Sequence, residues 1–225
     1  MKLFFSGRDY IHKVLVVAAE AGVLDRIEFV TENPLDDDAE IWSHNPLGKH
    51  PIIELDDGIV LNHGLLCCEY LDSLNSGDRL FPENETRWRA LSNMILGDGL
   101  FDATSALLVQ SLRPDAARNH PDMARHRERI LHLLPRMEHE AQRFEPSRFD
   151  IGHVCYAGGL DYFDRRKPLH RVALTPEDQE FDWRVTYPVL AAWFDAIIER
   201  PSLKLRPSDL GIESQGMPKT KDSEQ

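Results

Sequence analysis

The sequence has few cysteines, no long hydrophobic run and no excess of basic residues. Its 225 residues include 3 cysteines, too few for a disulfide framework and without the spacing of a zinc site, and its 10 histidines form no metal-binding motif. No apolar stretch approaches the ~20 residues that span a bilayer. A formal net charge of −12 opposes binding to nucleic acids and to anionic membranes. With no secretory signal developing before Arg8 and Asp9, these absences predict a soluble, acidic, cytoplasmic protein without a metal.

The first 75 residues alternate strand and helix signals. Four short apolar runs predict buried strands, and they lie at residues 2–5, 27–30, 52–55 and 59–61. Apolar residues with helical spacing follow the first and the last of these runs. The pair Asp57-Gly58 between the last two runs favours a hairpin, because glycine adopts the positive φ of a tight turn. The order β-α-β-(α)-β-β-α predicts an α/β domain with a mixed sheet of about four strands, with a short helix around 39–43.

After residue 75 the strand signals stop. Four apolar stripes with helical spacing begin near Leu91, Ile130, Ile151 and Leu190, and they predict an all-helical second domain. Asp150 is placed to cap the third of these helices, but His153 takes the position of the acidic or amide partner, so an incomplete capping box is expected. Gly158-Gly159 predict a close approach of another helix. The expected organisation is a first domain at 1–75, a linker at 76–83, a helical domain at 84–210 and a disordered tail at 211–225.

Several segments, taken in order, resemble motifs of the cytosolic glutathione transferase family. They are residues 45–53 (NPLGKHPII, similar to N-P-x-G-K-x-P-x-L), 57–61 (DGIVL), 68–72 (CEYLD), and, as in a bacterial subgroup, 97–103 (GDGLFDA), 160–165 and 200–202. The resemblance implies a thioredoxin-like domain followed by the all-helical domain of this family. It also implies glutathione as co-substrate, a homodimer, and attack of the glutathione thiolate on a small, mostly apolar electrophile held between the domains, which is a detoxification reaction.

The resemblance also implies where glutathione binds. Pro51 is expected to follow a cis peptide bond, which proline tolerates far better than other residues. The main chain of His50, Pro51 and Ile52 is expected to hold the tripeptide as an added strand. Lys49 stands where some members contact the glycyl carboxylate, and an ordinary solvated lysine is an equally weighted alternative.

The thiol must ionise before it attacks, and family members lower its pKa with a residue that follows the first strand. Residues 6–13 (SGRDYIHK) are one residue shorter than the subgroup pattern S-P-x-S-P-[FY]-V-R-K. Ser6 matches the first serine of that pattern and is the candidate hydroxyl donor. Arg8 is a candidate to stabilise the thiolate, and Tyr10 to line the pocket. The alternative is a loop that only caps the helix, with Asp9 as its N-cap.

A second departure lies before the third helix. The family usually carries an acidic residue and a serine there, which hold the γ-glutamyl group, and this sequence has His63 and Gly64. A histidine cannot replace a carboxylate in pairing an ammonium, although the N–H of Gly64 can still meet a carboxylate at a helix N-terminus. Two hypotheses therefore stand: a glutathione transferase, or a non-catalytic protein of the same fold that binds or scaffolds with weak or no glutathione affinity. A glutathione-dependent reductase or isomerase is a third, opposed by the absence of cysteine at residues 6–10.

Overall fold

The computed structural model describes residues 1–32, 41–145 and 147–212, without the side chains of Arg8 and Tyr10. The chain divides into two compact units. The first combines Met1–Leu80 with Lys204–Gln225, and the second is Phe81–Leu203. Most of the expected disordered tail, from residue 213 onward, lies outside the described residues. The domain limits expected from the sequence stay a prediction.

A four-stranded mixed sheet forms the centre of the first unit. Its strands are β1 (Lys2–Phe5), β2 (Glu28–Thr31), β3 (Ile52–Glu54) and β4 (Val60–Leu61), in the order β2-β1-β3-β4. β1 and β2 are parallel, because a helix crosses over between them, whereas β1–β3 and β3–β4 are antiparallel. The expected mixed sheet, with its parallel first pair and its hairpin, is confirmed.

The described residues beside the sheet form the α-helices α1 (Arg8–Glu20), α2 (Ile41–His44) and α3 (Gly64–Ser73). The apolar side chains of α1 are fully buried at Ile11, Val14 and Leu15, as their helical spacing predicts. The N-cap of α1 is Gly7, with φ 63° and ψ 149°. Asp9 lies within the first turn, so the expectation that it caps the helix is wrong.

The described residues of the second unit form helices and the loops between them, with no strand, which confirms the all-α expectation. Its helices are α4 (Arg87–Ser111), α5 (His120–Ala141), α6 (Ile151–Arg166), α7 (Pro168–Val172), α8 (Pro176–Glu180), α9 (Trp183–Thr186), α10 (Pro188–Ile197) and α11 (Pro201–Lys204), the last of which ends in the first unit. Leu100, Ile130, Tyr156 and Leu190 belong to one buried apolar cluster, to which α4, α5, α6 and α10 all contribute.

Glycines allow α4 and α6 to approach closely. A Cβ on Gly159 would lie 2.5 Å from the carbonyl oxygen of Gly97. A Cβ on Gly97 would overlap the main chain of Cys155. Atoms cannot share this space, so the two helices pack main chain against main chain, and the predicted close approach at Gly159 is confirmed.

The N-terminus of α6 carries a complete capping box. The Asp150 carboxylate accepts hydrogen bonds from the N–H groups of Gly152 (3.0 Å) and His153 (3.4 Å), and the Nδ1 atom of His153 accepts the N–H of Asp150 (3.1 Å). The expectation of an incomplete box is wrong, because an imidazole lone pair serves as the acceptor that glutamate or glutamine usually supplies.

Candidate functional site

The main chain just before β3 keeps hydrogen-bonding groups for a ligand. The peptide bond between His50 and Pro51 is cis, as the resemblance implies. The β3 ladder begins beyond it, with Ile52 opposite Phe4 of β1 and Ile53 opposite Leu61 of β4. Among the described residues, the N–H and C=O of His50 make no backbone hydrogen bond. An extended peptide can therefore add to the sheet at this point.

The side chain of His50 is buried and paired. It is 2% exposed, and its Nε2 lies 2.9 Å from Oε2 of Glu32, whose side chain is 13% exposed. The other carboxylate oxygen of Glu32 accepts the N–H of Ile41, the first residue of α2, at 2.7 Å. Burial lowers the pKa of His50, and the nearby Glu32 opposes this only in part. His50 is therefore neutral near pH 7 and donates its Nε2–H to the carboxylate.

The turn that leads to His50 is fixed by side-chain contacts. The buried Asn45 donates its Nδ2–H to the carbonyl of Lys49 (2.7 Å), and its Oδ1 accepts the N–H of Leu47 (3.0 Å). Gly48 has φ 59° and lies against the ring of Trp42, where a Cβ would overlap the indole. Lys49 itself is exposed, so its ammonium is available to solvent or to an anionic ligand.

The first turn of α3 lies directly beside Pro51. A Cβ on Gly64 would lie 3.5 Å from Cγ of Pro51 and 3.0 Å from Cε of Lys13 in α1. His63 is the N-cap, and its Nδ1 accepts the N–H of Leu65 at 3.2 Å. When neutral, His63 consequently carries its proton on Nε2 and offers a donor. The structure thus brings Pro51, His63 and Gly64 together, with a lysine among them.

Cys67, one turn into α3, is a core thiol. It is fully buried, and its Sγ lies 3.5 Å from the carbonyl oxygen of Leu61. Burial raises its pKa to about 11. Because the thiolate is the reactive form, Cys67 is not a nucleophile at neutral pH.

The candidate catalytic residues follow β1. Ser6 is half-buried between the end of β1 and Gly7. The side chains of Arg8 and Tyr10 lie outside the part of the chain that the structure describes. The roles expected for Ser6, Arg8 and Tyr10 therefore stay predictions.

Sequence reasoning missed three residues around this site, namely Glu32, Asn45 and Lys13. Asn45 was noted only as part of a motif, although its buried amide organises the turn. Glu32 and Lys13 contact residues 18 and 51 positions away along the chain. No local periodicity or spacing carries such contacts, so only a structure or a correctly assigned fold reveals them.

Two kinds of feature are missing from the described residues. No described helix has the length and apolarity needed to cross a membrane. No group of three or more histidine, cysteine or acidic residues in the described ranges is arranged to hold a metal ion.

Comparison with known proteins agrees with this geometry. Residues 9–74 match the family model described as the N-terminal domain of glutathione S-transferase. A solved glutathione transferase family member from Pseudomonas fluorescens Pf-5, with bound glutathione, is 32% identical to the chain, with a TM-score of 0.78, and the match covers 96% of this chain and 99% of that one. The chain belongs to the glutathione transferase family. Its first unit is the thioredoxin-like part of that fold, and its second unit is the helical part.

Two further relatives show how far the similarity extends. A glutathione S-transferase from Methylobacillus flagellatus, solved with glutathione bound, is 27% identical with a TM-score of 0.77, over 90% of this chain and 96% of that one. The uncharacterised glutathione-transferase-like protein YibF of Escherichia coli K12 is 26% identical over 130 residues. That match spans 57% of this chain and 63% of YibF, so this relative is matched over less than two thirds of its length.

Proposed function

We propose that the chain binds glutathione in its first unit and joins glutathione, through its thiolate sulfur, to small, mostly apolar electrophiles. The observation that carries the proposal is the main chain of His50, whose N–H and C=O make no backbone hydrogen bond among the described residues, beside the first turn of α3. In the reaction the thiolate attacks an electrophilic carbon and a C–S bond forms. The leaving group departs with its bonding electron pair, and the thiol proton passes to solvent.

Each part of the tripeptide has a proposed partner. The N–H and C=O of His50 pair with the cysteinyl residue as an antiparallel strand, and Pro51 and Ile52 continue that edge. The exposed ammonium of Lys49 attracts the glycyl carboxylate. Gly64 is the first residue of the 10-residue helix α3. Its N–H group, at the positive end of the helix, attracts the γ-glutamyl carboxylate.

Thiol activation is proposed for the loop after β1. The Ser6 hydroxyl donates a hydrogen bond to the sulfur, Arg8 adds positive charge, and Tyr10 lines the electrophile pocket. The N-terminus of the 13-residue helix α1 adds positive potential in the same place. Each of these favours the thiolate and lowers the pKa of the bound thiol.

The test combines binding with turnover. We expect calorimetric binding of glutathione and turnover of 1-chloro-2,4-dinitrobenzene, in which chloride leaves. Ser6→Ala should reduce kcat/KM by roughly a hundredfold, the usual effect of losing one donor to the reacting anion. Ser73→Ala is the control, because Ser73 lies at the far end of α3 and donates only to the carbonyl of Tyr70. Absence of both binding and turnover in the wild-type protein would favour the non-catalytic alternative, which the His63-Gly64 pair makes the natural second candidate.

A cytoplasmic detoxification role and a homodimer complete the proposal. Three buried free thiols suit a reducing compartment.

Trp88 is 75% exposed and Ile95 58% exposed, and they share one face of α4 because they are seven residues apart. We expect light scattering to give about twice the mass of the 25.8 kDa chain, and the double change Trp88→Glu/Ile95→Glu to halve it. Val185→Glu is the matched control, since Val185 is 78% exposed on another helix.

A further inference from the structure

We infer that Glu32 is a positioning residue for glutathione, because its carboxylate holds both ends of the segment that carries the glutathione-binding main chain. That segment, residues 41–50, is called the connecting segment below. The inference rests on the proposed function, since it names a residue that acts on the same site through His50 without touching the ligand.

The backbone of Glu32 is itself anchored to the sheet. It follows the last residue of β2, and its N–H donates to the carbonyl of Phe5, the last residue of β1, at 2.9 Å. Its side chain therefore starts from a fixed point, at the end of the parallel pair and beside the loop proposed to activate the thiol.

One carboxylate contacts both ends of the connecting segment. Oε1 accepts the N–H of Ile41, and Oε2 accepts the Nε2–H of His50, at 2.7 and 2.9 Å. Asn45 ties the middle of the segment to Lys49. A carboxylate accepts several hydrogen bonds at once, whereas an alanine at position 32 would accept neither.

His50 depends on this contact for its orientation. Its ring is almost completely buried, and its Nδ1 has no hydrogen-bond partner among the described residues. The hydrogen bond of Nε2 thus fixes the rotation of the ring. The ring is joined through Cβ to the Cα of His50, which lies between the N–H and the C=O proposed to bind the cysteinyl residue. Displacing the ring moves those two groups, and hydrogen bonds to a bound peptide weaken steeply when their geometry is lost.

A second histidine–glutamate pair provides the matched control. Nδ1 of His44 lies 3.8 Å from a carboxylate oxygen of Glu54, and both side chains are partly exposed. Glu54 lies in the same unit and contacts His44 of the connecting segment, but among the described residues no hydrogen bond or ion pair joins it to Ile41 or His50. Glu54→Gln therefore repeats the chemical change without releasing the ends of the segment.

The experiment measures glutathione affinity, KM and kcat for wild type, Glu32→Ala, Glu32→Gln and Glu54→Gln. We expect Glu32→Ala to raise Kd and KM for glutathione about tenfold and to leave kcat at saturating glutathione within about twofold, because ground-state positioning is lost. Glu32→Gln keeps one acceptor oxygen, which can serve either the N–H of Ile41 or the Nε2–H of His50 but not both. We expect a rise in Kd for this variant that is smaller than that of Glu32→Ala. Glu54→Gln should match wild type in every readout.

The outcomes separate the two levels of the argument. Wild-type affinity in both Glu32 variants, or a fall in kcat at saturating glutathione as large as the rise in Kd, would overturn the inference and leave the proposed function intact. A wild-type protein that binds no glutathione would overturn both. If Glu32→Ala proves unfolded by its circular dichroism, the folded Glu32→Gln protein still decides the question through its Kd and its kcat.

Discussion

In the proposed binding mode, the ring of His63 presents a proton donor beside the ammonium of glutathione. Its Nδ1 is engaged by the N–H of Leu65, so the neutral ring presents only Nε2–H to a ligand. The side chain of Lys13 lies close to Gly64 and adds a cation. In the proposed binding mode this arrangement attracts the γ-glutamyl carboxylate and disfavours the adjacent ammonium, so we expect an acidic residue at position 63 to raise the affinity for glutathione.

Replacing His63 by aspartate should raise glutathione affinity about tenfold or more. Aspartate remains a good N-cap for α3, and it adds a charge-assisted hydrogen bond to the ammonium, worth ~1.5–3 kcal/mol. Calorimetric titration at pH 7.5 measures the change. His63→Asn is the control, because asparagine caps the helix equally well without a charge. An equal gain in both variants would show that capping, and not charge, had improved binding.

The buried thiol of Cys67 should make stability fall at alkaline pH. Its pKa is raised from an ordinary value of 9.0 to about 11 by burial, so above pH 9 the unfolded chain ionises first and is favoured. The protonated Cys67 thiol therefore contributes fully to the free energy of unfolding below pH 9, and this contribution is lost as pH rises through about 11. Between pH 8 and pH 10 we expect wild type to lose about 1 kcal/mol relative to Cys67→Ala in urea unfolding. Parallel pH curves for the two proteins would contradict this.

At the scale of helices and strands, local patterns predicted what local forces determine. The sequence predicts three such features because each depends on residues that are neighbours in the chain: the apolar run of β1, the Asp57-Gly58 turn and the apolar stripe of α1. Glu32 and His50 are brought together only when the sheet forms, so no sequence pattern predicts their contact. The box between Asp150 and His153 was misjudged for another reason: the rule names residue types, whereas the helix requires only an acceptor lone pair in the right place.

Two glycines in α4 should respond to alanine with opposite signs. Gly97→Ala would force a methyl group into the main chain of α6, so we expect a loss of about 3 kcal/mol or more in the free energy of unfolding. Gly99→Ala would bring its Cβ only to 3.7 Å from the side chain of Leu133, an ordinary contact. Alanine favours the helix over glycine, so this variant should gain about 0.5–1 kcal/mol. Urea unfolding of both variants tests the pair, and a loss at Gly99 equal to that at Gly97 would show that the close approach of α4 and α6 is not what matters.

At the scale of the whole chain, the first unit is built from both ends of the sequence. The described residues 204–212 belong to the same unit as Met1–Leu80. Nη1 of Arg206 lies 3.0 Å from Nε2 of His12, a residue of α1 that is only 8% exposed. Helix α1, which begins in the proposed thiol-activating loop, is therefore contacted by a side chain 194 residues away along the chain. The sequence pattern of neither segment predicts this contact.

Shortening the chain should loosen the first unit selectively. A variant ending at Leu205 loses Arg206 and its hydrogen bond to His12, and the loss of one such hydrogen bond costs roughly 0.5–1.5 kcal/mol. Local opening of α1 becomes easier by that amount, so its amide protons should exchange up to about tenfold faster, while those of α4 and α6 keep their rates. Hydrogen exchange followed by mass spectrometry measures both regions in one sample. A variant ending at residue 212 is the control, since it keeps the contact. If exchange became faster throughout the second unit, or if its rate in α1 did not change, the C-terminal segment would not be what stabilises α1.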